Sequence, residues 1–299
     1  MITRAIKADD AWLKWKEQVI GASEIGAVFH CHDHLTYYQL YHMKRDKLKT
    51  EKNKAMEDGL LMQEVALKMI QRDHPEFKAY DPRLHYSDAD YGVGATPDVF
   101  AQDANGRLGV IQIKHVDRDV YRQKWLKSIP TWIALQVTQE AWLTEAKWGM
   151  IAALVHDHEL QLYLTDVEIH NHVIDEIKVQ ATEFWRRVRE GDEPEPNYRR
   201  DSEAIREVLR QDDGSEIDLS GDNELPEILH QRAILIGEMA AYEKELKAIN
   251  AELLHRLGTA QIGRLKQGYI SAKTIHRKAY EVAATSYRQL RVVTPQHGD

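Results

Sequence analysis

The chain is nearly without cysteine, since its 299 residues include one, Cys31. A single cysteine excludes an intramolecular disulfide framework and is typical of a reducing compartment. Long hydrophobic runs are also missing. No stretch approaches the ~18 apolar residues of a membrane-spanning helix, and the first residues lack the apolar segment of a signal peptide. These absences predict a cytoplasmic protein with no membrane partner.

The chain lacks a net positive charge, because 48 acidic residues outnumber 40 Lys and Arg and give a formal net charge of -8. This excludes a protein that coats DNA with its whole surface, but not an enzyme whose basic residues line one channel. Charge is segregated along the chain. Residues 190–227 hold fourteen acidic and four basic side chains, whereas residues 264–291 hold seven Lys or Arg and one acid. The basic segment is either a solvated face or a contact for nucleic acid.

Hydrophobic periodicity predicts an α/β (α+β) domain followed by an extension. Helical spacing is found over residues 9–20, 36–73, 130–146 and 167–190. Strand-like segments lie at 91–95, 98–102, 108–114, 147–155 and 159–166, with Asn105-Gly106 as a hairpin turn. Two prolines among acidic residues at 193–197 mark a boundary. We therefore predict one domain over residues 1–195 and a C-terminal extension over residues 196–299.

The extension is predicted to be helical and then, over residues 260–293, basic and strand-like. Its helix carries apolar residues at heptad spacing, which are Ile228, Leu235, Met239, Tyr242, Leu246, Ile249 and Leu253. This pattern is compatible with an intermolecular coiled coil and equally with a helical hairpin that packs on its own domain.

Residues suited to phosphodiester chemistry fall on two neighbouring predicted strands. Gln112 and Lys114 lie two apart, so both side chains belong to one strand face, with the Ile113 carbonyl between them. A turn centred on Asn105-Gly106 brings Asp98 opposite about residue 113. Hydrolysis of a phosphodiester needs a metal and a group that orients water, and oxygen ligands suit Mg²⁺. Gln112 is the anomaly, because its amide carries no charge where a third carboxylate is expected.

Three residues elsewhere suit the same site, although each also has a structural interpretation. Glu64 lies on the helix before the sheet and either faces the metal or faces solvent. Ser23, in the segment GASEIGA, is predicted as a helix N-cap whose free N–H groups suit a phosphate, or as a cap alone. Gln136 on the next helix can reach the same phosphate. The run at 30–34, HCHDH, is interpreted as a polar loop, because consecutive residues seldom supply four tetrahedral zinc ligands.

Five motifs in order resemble the YqaJ-like viral recombinase group of the PD-(D/E)XK nucleases. They are GASEIGAV at 21–28, AMEDG at 55–59 with Glu64, TPD at 96–98, QIK at 112–114 and QVTQEAWLTEA at 136–146. The resemblance covers about residues 15–190. It implies a restriction-endonuclease-like fold, with a central mixed sheet flanked by helices, and a C-terminal extension that is helical or coiled-coil and includes a small β element.

The resemblance also implies roles for individual residues. The metal ligands would be Glu64, Asp98, Gln112 and the backbone carbonyl of Ile113. Lys114 would orient or activate water as the fourth catalytic residue beside Glu64, Asp98 and Gln112. The phosphate contacts would be Lys16, Ser23, Thr96 and Gln136. Lys16 stands in for an arginine of the family and lacks its bidentate fork, and Glu140 stands where an aromatic residue is often found.

The implied activity is a Mg²⁺-dependent exonuclease, with Mn²⁺ as a possible substitute, that degrades linear duplex DNA from 5′ ends and exposes single strands for recombination. Implied partners are DNA ends, a single-strand annealing protein and further copies of the chain in a trimer. The implied setting is the cytoplasm of a bacterial host that carries the gene on a phage or prophage. Two alternatives stay open, an endonuclease or nickase and a non-catalytic DNA-binding or regulatory protein of nuclease fold.

Overall fold

The structure is a computed structural model that describes residues 2–5, 15–46, 48, 54–278 and 287–293, with the backbone alone for 2–5 and 55–57. The chain divides into two compact units, Met1–Arg210 and Gln211–Asp299. The division into separate domains at residue 195 stays a prediction. Most of the helix predicted over residues 9–20 lies outside the described residues.

The first unit contains two four-stranded sheets among its described residues. Its strands are β1 (Ile2–Ala5), β2 (Ile20–Gly21), β3 (Leu84–Asp88), β4 (Val93–Ala95), β5 (Val99–Gln102), β6 (Leu108–Asp117), β7 (Trp148–His156) and β8 (Leu160–Val167). Its helices are α1 (Ile25–Val28), α2 (Tyr37–Arg45), α3 (Lys54–Asp73), α4 (Thr131–Thr144), α5 (Asn171–Glu190) and α6 (Ser202–Val208). Shorter helical segments are Pro75–Phe77, Arg118–Val120 and Tyr121–Trp125.

Two predicted helices have different limits in the structure. The helix predicted over 36–73 is interrupted, since α2 ends at Arg45 and α3 begins at Lys54. Between these helices the structure describes residues 46 and 48, and neither is helical. The helix predicted from Val167 begins at Asn171, because Val167 is still paired with Gly149 in the sheet.

The second sheet has the strand order β5-β6-β7-β8 and is mixed. Strand β6 pairs antiparallel with β5 and parallel with β7, and β8 returns antiparallel to β7. The hairpin between β5 and β6 turns around Asn105-Gly106, where Gly106 has a φ of 74° that favours glycine. The predicted mixed sheet with flanking helices is confirmed.

Helices cover both faces of this sheet, and the alternation along β6 decides which side chain meets which helix. Ile111 and Ile113 belong to the apolar cluster that includes buried residues of α3. Val110 packs in a separate cluster with Ile133 and Val137 of α4. Because side chains alternate along a strand, every second residue of β6 from position 110 faces α4. The sheet therefore presents positions 112 and 114 to α4.

The second unit contains α7 (Leu225–Leu257) and a hairpin of β9 (Ile262–Arg264) with β10 (Tyr269–Ser271). The predicted helix and small β element are therefore present. No residue of α7 is buried, and its heptad residues are exposed, so the coiled coil stays a prediction. Among the described helices, none is long and apolar enough to cross a membrane.

Candidate active site

Asp98 lies immediately before strand β5, and its carboxylate contacts residues of α3 and β6. Its Oδ1 accepts a hydrogen bond from Gln63 Nε2 of α3 at 3.0 Å. Its Oδ2 accepts from the Ile113 backbone N–H at 2.9 Å and from the side-chain amide of Gln112. The register of β5 and β6, with Val99 opposite Ile111, brings Asp98 beside Gln112, one residue from the expected position. Asp98 is therefore held by three donors.

Gln136 of α4 connects the side chains that β6 presents to it. Lys114 Nζ donates to Gln136 Oε1 at 2.9 Å. Gln136 Nε2 donates to Gln112 Oε1 at 2.7 Å and to Glu140 Oε1 at 2.9 Å. Gln136 and Glu140 are four residues apart and so lie one turn apart on the same helix face. Asp98, Gln112, Lys114, Gln136 and Glu140 form one hydrogen-bonded network, here called the Asp98 cluster.

Burial shifts the pKa values of the three ionisable groups in the Asp98 cluster toward their neutral forms. It raises the pKa of Asp98 to about 6, against the opposing effects of the Lys114 charge and the Ile113 N–H. Burial also raises the pKa of Glu140 to about 8, and the charge of Asp98 adds to this shift. Burial lowers the pKa of Lys114, although both carboxylates oppose the change. The cluster thus contains two acids and one base, all poorly solvated.

Glu140 is a member of the cluster that the sequence interpretation did not assign to the site. It is 1% exposed, and its Oε2 has no hydrogen-bond partner among the described residues. The sequence did contain a signal. Glu140 is the one charged residue of α4, in the sequence TWIALQVTQEAWLT, and a helix this apolar has few positions that face solvent.

Glu64 is exposed, and no described hydrogen bond or ion pair joins it to Asp98. The α3 side chain that contacts Asp98 is that of the neighbouring residue, Gln63. Successive helical residues point about 100° apart, and the buried residues Ala66 and Ile70 lie three and seven positions after Gln63. The buried face of α3 therefore includes Gln63 and excludes Glu64. A metal-binding role for Glu64 stays a prediction that the described contacts do not support.

The predicted phosphate contacts lie in different surroundings. Gln136 is within the cluster and contacts Lys114 directly. Thr96 is exposed, and its Oγ1 hydrogen-bonds His85 Nδ1 at 2.8 Å. The Lys16 backbone carbonyl accepts from Lys44 Nζ at 3.2 Å.

Ser23 is exposed and does not cap α1, so the predicted N-cap is wrong. The N-cap residue is Glu24, and its side chain makes no capping hydrogen bond. Instead its carboxylate turns back to accept from the Gly21 N–H at 2.8 Å and from Lys44 at 2.7 Å. The Glu24 carboxylate thus joins the turn before this short helix to Lys44 of α2.

An aromatic wall borders the cluster beside Lys114. Lys114 Nζ lies 5.2 Å from the ring centroid of Trp132, and the His32 ring lies 4.4 Å from the same indole. Burial lowers the pKa of His32 to about 4, with the charges of His34 and Lys114 adding to the effect. His32 is therefore neutral near pH 7. The segment 30–34 is a loop, as predicted, yet one of its side chains reaches the cluster.

The donor set of the cluster fits a hard divalent cation such as Mg²⁺. Mg²⁺ binds one or two carboxylates and keeps several waters, and the cluster contains the carboxylates of Asp98 and Glu140, the Gln112 amide and the nearby Ile113 carbonyl. The unpartnered oxygen of Glu140 and the excess of acids over bases both favour a cation. No group of three or more His, Cys, Asp or Glu side chains suited to a metal occurs in the described part of the chain, so amide and carbonyl oxygens would have to complete the ligand set.

Comparison with known proteins gives one match to a family and several to solved structures. Residues 11–147 match the YqaJ-like viral recombinase domain. The alkaline exonuclease from Laribacter hongkongensis is 18% identical, with 66% of this chain and 100% of that chain covered and a TM-score of 0.49. A structure of that exonuclease with dAMP has a TM-score of 0.48 at 18% identity, with 66% and 99% covered.

A phage related exonuclease from Haemophilus somnus is 13% identical, with 58% of this chain and 96% of that chain covered and a TM-score of 0.44. No curated protein matches the chain. The family match over residues 11–147 confirms the resemblance that the sequence motifs indicated.

Proposed function

We propose that the protein is a metal-dependent deoxyribonuclease whose active site is the Asp98 cluster. The observation that carries this proposal is the position of Lys114 on β6 and of Asp98 just before the neighbouring β5, both partly buried and joined through Gln112 and Gln136. The YqaJ-like domain and the chemistry of the donor set support the same conclusion.

In this proposal the cation would be held by Asp98, the Ile113 carbonyl and an amide oxygen of Gln112. A bound Mg²⁺ neutralises charge that develops on a phosphate and lowers the pKa of a bound water. Glu64 stays a further candidate ligand from the sequence alone.

Lys114 orients the attacking water and is suited to accept a proton from it. Its pKa is lowered by burial, and a desolvated amine is a better base near neutral pH than an exposed one. Gln136 fixes the position of this amine, because its Oε1 accepts from Lys114 Nζ at 2.9 Å. The Trp132 ring lies 5.2 Å from the same amine. The buried environment thus both positions the base and tunes it.

The finer features of the proposal follow from the family resemblance. We propose exonuclease action from 5′ ends of linear duplex DNA, with Lys16, Ser23, Thr96 and Gln136 as phosphate contacts. The basic segment of residues 264–291 can add electrostatic contacts to DNA, and the exposed apolar residues of α7 can support a homo-oligomer such as a trimer. A single-strand annealing protein in the bacterial cytoplasm is the proposed partner in recombination.

The test is digestion of 5′-phosphorylated linear duplex DNA and of closed circular DNA, with Mg²⁺ and with EDTA. An exonuclease releases nucleotides from the linear DNA only, and only with the metal. Cleavage of the circle would favour an endonuclease or nickase. Binding of DNA without cleavage under Mg²⁺ or Mn²⁺ would favour the non-catalytic alternative, which the uncharged Gln112 keeps open.

A further inference from the structure

We propose that Glu140, on α4, supplies the second carboxylate of the metal site and so replaces the charge that Gln112 lacks on β6. This inference rests on the proposed function of the Asp98 cluster, but it concerns the origin of one ligand. The carboxylate expected at position 112 of β6 would then be supplied by α4, the helix that packs on the same face of the sheet.

Gln112 has no carboxylate, and its side chain instead links Asp98 to Gln136. Its amide nitrogen donates to Asp98, and its Oε1 accepts from Gln136 at 2.7 Å. The side chain is 3% exposed and therefore has little water around it. Gln112 links the two parts of the cluster as a neutral residue and leaves Asp98 as the sole acid contributed by the strands.

Glu140 lies where a replacement is needed. Its Oε1 and the Oε1 of Gln112 accept from the same nitrogen of Gln136, at 2.9 and 2.7 Å, so the two oxygens flank one atom. The charge of Asp98 also acts on Glu140, which means that the two carboxylates share one electrostatic environment. The helix therefore brings an acid to the immediate neighbourhood of the strand position.

The unpartnered Oε2 of Glu140 distinguishes this residue from a structural buried acid. A buried carboxylate that stabilises a fold normally has its lone pairs satisfied, since an unsatisfied buried polar atom is costly. Glu140 Oε2 has no partner among the described residues although the residue is 1% exposed. A cation in the cluster would give this oxygen a partner and would offset the excess of acid over base.

The experiment measures Mg²⁺ and Mn²⁺ binding by titration calorimetry on the full chain, independently of DNA cleavage. Four variants are compared with the wild type: Glu140→Gln, Gln112→Glu, the double exchange Gln112→Glu/Glu140→Gln, and the control Glu145→Gln. Glu145 is an exposed acid that ends the same helix, so its substitution removes the same charge at a distance from the cluster. Circular dichroism checks that each variant is folded.

We expect Glu140→Gln to weaken metal binding by about tenfold or more, and Glu145→Gln to leave it within about twofold of the wild type. The double exchange, which returns the carboxylate to the strand, should recover most of the lost affinity. Equal metal affinity in Glu140→Gln and the wild type would overturn the inference. If Glu140→Gln does not fold, the double exchange is the deciding variant, because it keeps the number of buried acids. A double variant that folds and binds metal supports the inference. A double variant that folds but does not bind metal overturns it.

Cleavage of linear DNA, measured on the same samples, separates this inference from the proposed function. A wild type that binds metal through Glu140 and cleaves no DNA would remove the proposed function and leave the ligand assignment intact. If the wild type cleaves DNA and Glu140→Gln binds metal as well as the wild type does, the ligand assignment is removed and the proposed function is kept.

Discussion

Two buried polar clusters in the first unit differ in how their charges are balanced. Glu24 and Lys44 form an ion pair at 2.7 Å, with both side chains almost fully enclosed. Each has one further hydrogen bond, Glu24 from the Gly21 N–H and Lys44 to the Lys16 carbonyl. In the Asp98 cluster, two carboxylates share one lysine, and that lysine donates to an amide oxygen. The Glu24–Lys44 cluster thus contains one acid and one base, whereas the Asp98 cluster contains two acids and one base.

The difference separates a structural use of buried charge from a chemical one. A buried ion pair fixes two chain segments, and the loss of one partner leaves an uncompensated charge. The Glu24–Lys44 pair fixes the turn before α1 to α2 in this way. The Asp98 cluster has perturbed pKa values and an unpartnered oxygen, which are features that mark sites of chemistry. The predictions below test whether the two clusters have these separate uses.

The largest effect is expected from Lys114→Met. This substitution removes the proposed base while keeping a side chain of similar length beside Trp132. We expect the rate of DNA cleavage to fall by about 10²–10⁴-fold, the usual contribution of a positioned acid or base. The measurement is the initial rate of nucleotide release from linear duplex DNA.

Lys44→Met is the matched control in the balanced cluster. It leaves Glu24 buried without its cation, so we expect a loss of about 3–5 kcal/mol in the free energy of unfolding. The cleavage rate of the protein that remains folded should change little. A Lys44→Met variant that folds well but cleaves no DNA would contradict the separation of the two clusters, as would a Lys114→Met variant that retains full activity.

The second prediction concerns the stability of the metal-free protein as a function of pH. The pKa of Glu140 in the folded protein is about 8, above its ordinary value of 4.5. A raised pKa favours folding while the group is protonated, and this contribution is lost as the pH rises from about 4.5 through about 8. The melting temperature in EDTA should therefore fall over this range in the wild type more than in Glu140→Gln.

Glu24→Gln is the comparison for this pH series, because it alters the balanced cluster. As the pH rises to about 8, the melting temperature of Glu140→Gln should rise relative to that of the wild type. The melting temperature of Glu24→Gln should not rise relative to the wild type in this way. A pH profile for Glu140→Gln that parallels the wild type would contradict the assignment of this loss to Glu140.

The sequence predicts the strand residues of the site well and the helical ones poorly, for a physical reason. Gln112 and Lys114 are two apart, and a period of two is enough to place both on one face of β6. On α3, the choice between Gln63 and Glu64 depends on which face is buried, and this is set by packing on the sheet. Glu140 depends in addition on how α4 lies across β6, a tertiary relation that spacing does not contain.

The third and smallest expected effect tests the two neighbouring residues of α3. Gln63→Leu removes a hydrogen bond to the Asp98 carboxylate. We therefore expect a loss of about 1.5–3 kcal/mol, either in the free energy of unfolding or in the free energy of metal binding. Glu64→Gln should change stability by no more than about 0.5 kcal/mol, as is usual for an exposed residue. Metal titration and thermal melting check both. A larger loss of metal binding in Glu64→Gln would support the ligand role that the family resemblance implies.

Uptake of a divalent cation by the Asp98 cluster can be measured without DNA. The most direct measurement is the melting temperature of the wild type, Asp98→Asn and Lys44→Met, each with EDTA and with saturating Mg²⁺. Binding to the folded state alone stabilises it in proportion to the logarithm of the metal concentration over Kd. We expect Mg²⁺ to raise the melting temperature of the wild type and of Lys44→Met, but not that of Asp98→Asn. An equal rise in Asp98→Asn and the wild type would contradict the account.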